Sequence, residues 1–373
     1  MKIAFVSDSI YPYNKGGKEK RLYEISIRLS KMGHDVHIYT MHWWDSREKT
    51  ITENGVTLHA ISKRHEMYKG DRRSISEGVL FALACFKLIN IDFDVIDVDH
   101  MPFFPIFSAW IVCKLKRKKL NGTWHEALRR SDWVDYMGVI GNIAAIIERI
   151  AIRLPYTVTA SSEHTLELIR TELKRNKRLD LVTAGIDISS IQKVAPSSLS
   201  SDILFVGRLV KDKNVTLLIK AIAVLKEQGQ SIHCLIVGSG IEEDNIKRSI
   251  KKYGLENNVQ LIGNLPHAND IYGLMKMTKV LALPSKREGF GIVALEALAC
   301  GTPVITTNLP ANAAKQLIDD GVDGSIIFPK QYELAEAILE WINKDPEQEV
   351  IAGKIDKFDW KNLVNKQLEA YGV

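Results

Sequence analysis

The sequence of 373 residues is poor in features that would place a chain outside the cell or across a membrane. It has only four cysteines, Cys85, Cys113, Cys234 and Cys300, all in apolar contexts and none in a CxxC spacing. That excludes a disulfide scaffold and supplies no zinc-ligand pattern. Reduced, buried thiols fit a cytoplasmic protein. No uncharged apolar run reaches the roughly 18–20 residues that cross a bilayer; the nearest, Met101 to Cys113, is too short. The opening Met1-Lys2-Ile3-Ala4-Phe5-Val6 meets Asp8 almost at once. It lacks the apolar core and cleavage site of a signal peptide and reads as a first β-strand. No low-complexity tract or short repeat appears. A composition 46% hydrophobic and 25% charged is that of an ordinary globular chain, long enough for two domains, each with its own core.

A strong net charge is also missing, since the whole chain carries only +5, but the charge is uneven. Residues 1–200 hold 30 Lys+Arg against 23 Asp+Glu, a net +7, and residues 201–373 hold 20 against 22, a net −2. Two dense runs, Lys114–Lys119 and Lys174–Arg178, carry much of the excess. Such asymmetry marks an anionic partner surface or solvated helix ends. Lys114–Lys119 follows Phe103, Phe104, Phe107, Trp110 and Ile111, so an anionic membrane surface is a candidate partner. A nucleic-acid partner is not expected. His42-Trp43-Trp44 reads either as an aromatic platform for an acceptor or as core.

Short runs rich in Val, Ile and Leu alternate with amphipathic segments along the whole length. In the first half, strands are expected at Lys2–Ser7, Val36–Thr40, Val56–Ile61, Val95–Val98, Thr157–Ser161 and Leu181–Thr183. Helices are expected at Lys18–Lys31, Ser76–Ile89, Phe103–Lys118, Trp133–Arg153 and Glu163–Leu173. In the second half, Ile203–Val206, His233–Val237, Val259–Ile262, Val280–Leu283, Val304–Thr306 and Ile326–Phe328 repeat the rhythm. Alternating β and α segments with continuously apolar strands imply parallel sheets covered on both faces. The fold class is therefore α/β, with two doubly wound, Rossmann-like domains. The Pro/Ser-rich Ala195–Ser201 is linker chemistry and sets a hinge between Asp187 and Ser201, giving domains 1–190 and 191–355. Ligands of such sheets bind beyond the carboxyl ends of the strands, which would place one in a cleft between facing domains.

The chemistry concentrates in the second half. In Pro284–Pro303 a buried strand is followed by a loop with Gly289 and Gly291 that opens a helix. Glycines there let backbone amides approach a ligand, and a helix N-terminus suits a phosphate. Glu288 lies in the loop and Glu296 in the second helical turn, among Val293, Ala294, Leu295, Ala297, Leu298 and Ala299. A lone carboxylate in so apolar a helix calls for donors such as sugar or ribose hydroxyls. Upstream, Gly207-Arg208-Leu209 and Lys213 bracket a strand-to-helix turn, where two cations neutralise a diphosphate without metal. Gly238 and Leu265 lie in glycine-containing loops after two further strands, open to a base or ribose. The Gly238–Gly240 loop lacks the third glycine of a dinucleotide fingerprint, Glu243 standing in its place, which disfavours hydride chemistry.

These residues resemble the retaining glycosyltransferase family 4, of the GT-B fold. The family's Glu, seven residues, Glu pattern is Glu288 and Glu296, and its Gly-Arg-Leu then Lys is Gly207-Arg208-Leu209 and Lys213. Its inter-domain Gly-Ile-Asp is Gly185-Ile186-Asp187, although Ala184 stands where Asn is usual. The resemblance implies a donor-binding set of Gly16, Gly17, Arg208, Lys213, Gly238, Leu265, Glu288, Gly289, Phe290, Gly291, Ile292 and Glu296. It implies catalytic roles for His125, Glu288, Arg208 and Lys213, His125 lying in Thr123-Trp124-His125-Glu126, a segment whose His faces the transferred sugar. It further implies that a C-terminal helix, 356–373, packs back on the first domain. The expected activity is metal-independent transfer of a hexosyl group, with retention, from a UDP- or GDP-sugar to a glycan or lipid-linked acceptor. No cofactor is expected. The chain would work in the cytoplasm or peripherally at the inner face of a membrane. Alternatives are a nucleotide-sugar epimerase or phosphorylase on the same fold, or a non-catalytic membrane-associated module. Asp92-Phe93-Asp94 and Asp97-Val98-Asp99 both spell Asp-x-Asp, a metal-binding signature that competes with the metal-free reading.

Overall fold

Strands that are apolar at nearly every position need cover on both faces. The chain meets that need twice. The computed structural model describes residues 1–69, 72–344, 351 and 353–372. It divides into unit 1, Met1–Gly185 with Trp360–Val373, and unit 2, Ile186–Asp359. Residues 345–350 and 352 of the expected second domain, and Val373 of the expected C-terminal helix, lie outside the described residues.

Unit 1 is built on β1 (Lys2–Val6), β2 (Asp35–Met41), β3 (Thr50–Glu53), β4 (Val56–Ser62), the small hairpin β5 (Tyr68–Lys69) and β6 (Arg72–Arg73), β7 (Val95–Asp99), β8 (Leu120–Trp124), β9 (Thr157–Ala160) and β10 (Leu179–Leu181). The main sheet has the order β10-β9-β8-β7-β1-β2-β4-β3. Every pairing is parallel except β3 with β4. Helices α1 (Gly17–Lys31), α2 (Ile75–Cys85), α3 (Phe104–Lys116), α4 (Arg130–Met137), α5 (Gly141–Ala151) and α6 (Glu163–Thr171) connect the strands. Strand order reverses between β1 and β7, where a doubly wound sheet binds its ligand.

The central strands of this sheet are unusually polar. Asp97, Asp99, Asn121, Thr123, Thr157 and Thr159 are all buried, so each needs a partner inside the protein. Thr123 Oγ1 bonds Asp97 at 3.0 Å and Thr159 Oγ1 at 2.9 Å. The C-terminal helix Trp360–Tyr371 completes the network. Tyr371 donates its hydroxyl to Asp97 Oδ2 at 2.7 Å, and Gln367 Oε1 accepts from buried Arg21 of α1 at 2.9 Å. Trp360, Leu363 and Val364 of that helix are buried in the same core. Polar strands in the middle of the sheet and a helix from the far end of the chain thus satisfy one another.

Unit 2 follows with α7 (Ile188–Lys193), β11 (Ser201–Val206), α8 (Val215–Glu227), β12 (Cys234–Val237), α9 (Glu243–Lys252), β13 (Val259–Gly263), α10 (Ala268–Lys276), β14 (Thr278–Leu283), α11 (Ile292–Ala299), β15 (Val304–Thr307), β16 (Gly324–Ile327) and α12 (Gln331–Asn343). Its sheet runs β13-β12-β11-β14-β15-β16, wholly parallel, and reverses between β11 and β14. The Pro/Ser-rich Ala195–Ser201 lies within unit 2, where Ser197 N donates to Gly273 O at 3.0 Å.

Two local expectations are corrected and one open reading is decided. The helix expected over Trp133–Arg153 is broken into α4 and α5 by a 3₁₀ turn at Gly138–Ile140, Gly138 taking φ +67°. The helix expected over Ser76–Ile89 stops at Cys85 and tightens into a 3₁₀ segment, Phe86–Asn90. Trp43 and Trp44 are core, not a platform: both are buried, their indole N–H groups donating to Asp8 O at 2.9 Å and Glu48 O at 2.7 Å. The four cysteines are free and buried.

Candidate functional site

At the switch point of unit 2, the turn after β11 meets the loop after β14. Lys286 N donates to Asp212 O at 2.7 Å, Arg287 pairs with Asp212 at 3.3 Å, and Lys213 Nζ bonds Glu288 Oε1 at 2.5 Å. Ser285 Oγ adds a second donor to the same Glu288 oxygen, at 2.7 Å. The backbone of Glu288 is fixed as well, its N–H bonded to Ala311 O and its carbonyl to Ala313 N, both at 3.0 Å. Arg208 stands apart: it is exposed and makes no ion pair among the described residues. Of the turn's cations, Lys213 is neutralised by a carboxylate, while Arg208 makes no ion pair among the described residues.

Gly291 caps α11 with φ +92° and lies so close to Ala314 that a Cβ would sit 2.5 Å from Ala314 Cβ. Only glycine fits both the dihedral and the gap. The amides of Ile292 and Val293 open the helix and have no intrahelical acceptor, which makes this end a site for negative charge. Gly289 and Ile292 are half-buried beside it, and Phe290 is buried against Phe358, ring centroids 5.8 Å apart.

Glu296 is buried one turn further along and accepts from the Tyr272 hydroxyl at 2.9 Å. Tyr272, on α10, was not anticipated; its 24-residue separation from Glu296 follows no helical or strand period. Gly238 closes the other flank of the site. A Cβ there would lie 1.9 Å from Gly207 O, so the loops after β11 and β12 meet backbone to backbone. Leu265, half-buried, follows Asn264, whose side chain bonds Ser239 Oγ at 2.7 Å. The structure thus gathers Arg208, Lys213, Gly238, Leu265 and Glu288 to Ile292 at the carboxyl edge of one sheet, with Glu296 in the helix behind them.

Unit 1 holds Gly16, Gly17 and His125. Gly16 caps α1 in extended backbone, and Gly17 is the helix's first residue. His125, just past β8, is held through its ring, its backbone N–H and its carbonyl. Its Nε2 meets Asp99 Oδ1 at 2.7 Å, its backbone N–H meets His100 Nδ1 at 3.2 Å, and its carbonyl accepts from Ser161 Oγ at 2.9 Å. Behind it runs an unbroken line of alternating charge. Asp99 lies 3.9 Å from Lys18, Lys18 bonds Asp8 at 2.5 Å, Asp8 pairs with Arg73, and Arg73 lies 3.7 Å from Glu77. Burial would raise the Asp8 and Asp99 carboxyls, but Lys18 and Arg73 beside Asp8, and the hydrogen bond from His125 with Lys18 nearby for Asp99, hold both below the usual range. Burial, reinforced by Asp8, pushes Glu77 up to about 7. The pairs join residues up to 81 positions apart in sequence. Asp97 and Asp99 of the second Asp-x-Asp are taken up by Tyr371 and His125. Among the described residues no group of three or more His, Cys, Asp or Glu is arranged to hold a metal ion.

Two doubly wound units in series, the second with a cationic turn facing a glycine-opened helix, define the GT-B class. Comparison with known proteins agrees. The family model described as Glycosyltransferase Family 4 matches residues 15–190, and the one described as Glycosyl transferases group 1 matches residues 189–357. The chain belongs to glycosyltransferase family 4 and is a glycosyltransferase. It is 24% identical to a glycogen synthase of Mycobacterium tuberculosis, over 100% of this chain and 94% of that protein. Its fold matches sucrose-phosphate synthase from Thermosynechococcus elongatus with TM-score 0.81 and 19% identity, covering 99% of this chain and 98% of that one. It also matches the Anabaena protein Alr3699/HepE, solved in complex with UDP-glucose, with TM-score 0.74 and 19% identity over 100% and 99% of the two chains.

Proposed function

We propose that the chain transfers a hexosyl group from a UDP- or GDP-sugar to a glycan or lipid-linked acceptor, with retention at the anomeric carbon and without a metal. The observation that carries this is exposed Arg208, which makes no ion pair among the described residues, on the same turn as the Lys213–Glu288 pair and at the same switch point of unit 2 as the open amides of α11. A diphosphate carries the charge that such a site lacks. In the reaction, the anomeric C–O bond breaks and its electron pair leaves with the diphosphate. The acceptor oxygen forms the new bond to the same face of the sugar, and its proton passes to the departing phosphate. Arg208, Lys213 and the α11 amides stabilise the charge gathering on the leaving group. Glu288 and the Gly289–Gly291 backbone receive the transferred sugar, Glu296 the ribose, and Gly238 and Leu265 flank the base. Gly16 and Gly17 approach the donor phosphates, and His125 bonds a sugar hydroxyl or the leaving phosphate. A complex of an Anabaena relative with UDP-glucose is consistent with such a donor. With a lipid-linked acceptor the chain works as a peripheral protein at the inner, cytoplasmic face of a membrane. No helix among the described residues is long and apolar enough to cross one.

A panel of UDP-, GDP- and ADP-sugars in thermal shift identifies the donor, because a ligand of the folded state stabilises it by mass action. With that donor, proton NMR of the product should show the donor's anomeric configuration, and nucleoside diphosphate should appear only when acceptor is present. Chelator should leave turnover intact. An inverted product, release without acceptor, or complete loss with chelator contradicts the corresponding part of the proposal.

A further inference from the structure

Unit 1 carries apolar surface that neither its core nor its site uses. α2 and the 3₁₀ segment after it present Ile75, Val79, Leu80, Leu83, Phe86 and Ile89 to solvent, Leu83 being 59% exposed. α3 runs beside α2 in the same direction. Where both helices start, a Cβ on Gly78 would lie 2.9 Å from Pro102 and 3.1 Å from Phe104. Where both end, Lys116 Nζ donates to Ile89 O at 2.9 Å. α3 adds Ile111 and Leu115, the latter 71% exposed. Contiguous apolar surface of this kind marks a place where something docks.

Along the two helices basic side chains outnumber acids, with exposed Asp92 and Asp94 following the 3₁₀ segment. From Arg72 to Ile91 the only acid is Glu77, which is buried, and from Met101 to Lys119 there is none. Lys87, Lys114, Arg117 and Lys119 are exposed around the ends of the two helices. Lys119 and Arg178 both lie over the Tyr156 ring, 4.5 and 3.5 Å from its centroid. The two basic runs of the sequence therefore converge in space. Apolar helices edged by lysine and arginine are what an anionic bilayer surface accepts.

We infer that the outer face of α2 and α3 docks on an anionic lipid surface, with its apolar side chains in the acyl boundary and its basic edge among the lipid phosphates. The inference deepens the lipid-linked acceptor reading and rests on it for its purpose, though docking itself is read without turnover. Arg73, just before α2, pairs with Asp8. The starts of these helices therefore stand at the site end of unit 1, from which a lipid-borne acceptor would enter.

The test is co-sedimentation of the full chain with vesicles of phosphatidylcholine alone and of phosphatidylcholine with phosphatidylglycerol, at low and high salt. Binding is expected only to the anionic vesicles and should weaken with salt. Each basic residue near such a surface is worth about fivefold in partitioning, so Lys114→Ala with Lys119→Ala should lower it about twenty-five-fold. Leu83→Ser with Phe86→Ser should abolish binding while circular dichroism and Tm stay unchanged, both side chains being exposed. Absence of binding at low salt overturns the inference and leaves the transfer chemistry untouched. So does binding that survives the Leu83/Phe86 change but is lost with Ile143→Ser and Ile146→Ser on α5. A dimer that the Leu83/Phe86 change dissociates, without vesicle binding, makes a second copy of the chain the occupant and also overturns it.

Discussion

Glu288→Gln should move nucleoside-diphosphate binding and turnover in opposite directions. In the ligand-free protein Glu288 neutralises Lys213 across a 2.5 Å contact, and the two side chains are only 10% and 18% exposed. A nucleoside diphosphate must then share Lys213 with a carboxylate of its own sign. At an effective dielectric of about 20, two unit charges about 6 Å apart repel by about 3 kcal/mol. Residual exposure and salt reduce that to roughly 1–2 kcal/mol. The glutamine keeps the shape and can still accept from Ser285, but removes the repulsion. Nucleoside diphosphate, without the sugar, should therefore bind about 5- to 30-fold more tightly by isothermal titration. The carboxylate is also assigned to the hydroxyls of the moving sugar, and losing a charged hydrogen-bond partner there costs about 1.5–3 kcal/mol. Turnover should accordingly fall about 10- to 100-fold at saturating donor. Weaker binding of the diphosphate would refute the assignment of Lys213 to it, and unchanged turnover would refute the assignment of Glu288 to the sugar.

Three further outcomes follow from unit 1. Asp99→Asn removes the anion that orients His125 and should cut kcat about 10- to 100-fold while leaving the diphosphate Kd unchanged; equal loss in both would count against a role for His125 in the transfer step. Tyr371→Phe leaves buried Asp97 without its closest donor, costing about 1–3 kcal/mol and lowering Tm by about 2–10 °C; an unchanged Tm would show that the C-terminal helix is not held by this bond. Burial pushes Glu148, the acceptor of the Trp133 indole N–H at 2.6 Å, up to about 8. Its ionised form opposes folding, so stability is highest below the unfolded value near 4.5 and is lost as pH rises through about 8, by up to about 5 kcal/mol. Glu148→Gln should flatten the fall in urea midpoint between pH 5.5 and pH 8.5, and an unaltered slope would contradict the burial argument.

The parts of the fold and site legible in the sequence are those set by local rules. Continuous Val/Ile/Leu strands declare parallel, buried sheets. A strand-to-helix loop with Gly289 and Gly291 declares a helix N-terminus, and Glu296 in an otherwise apolar helix declares a buried carboxylate. What escaped depends on distance along the chain. Tyr272 reaches Glu296 from another helix, and Asp99 comes within 3.9 Å of Lys18 because the sheet places β1 beside β7. β3, Thr50–Glu53, has only one apolar residue and pairs antiparallel at the sheet's edge, so it carries no buried-strand pattern. Trp43 and Trp44 could not be assigned from the sequence because an aromatic pair after a strand suits core and surface equally; the acceptors Asp8 O and Glu48 O decide the matter.

The most direct test of the central claim, that unit 2 holds the donor diphosphate through Arg208, is isothermal titration of UDP, GDP and ADP into the wild-type chain and into Arg208→Ala. The account predicts that the cognate diphosphate binds and that the variant, folded and with unchanged Tm, binds it about 10- to 100-fold more weakly, as befits loss of a charge-assisted contact of about 1.5–3 kcal/mol. Equal affinity for wild type and variant would contradict it.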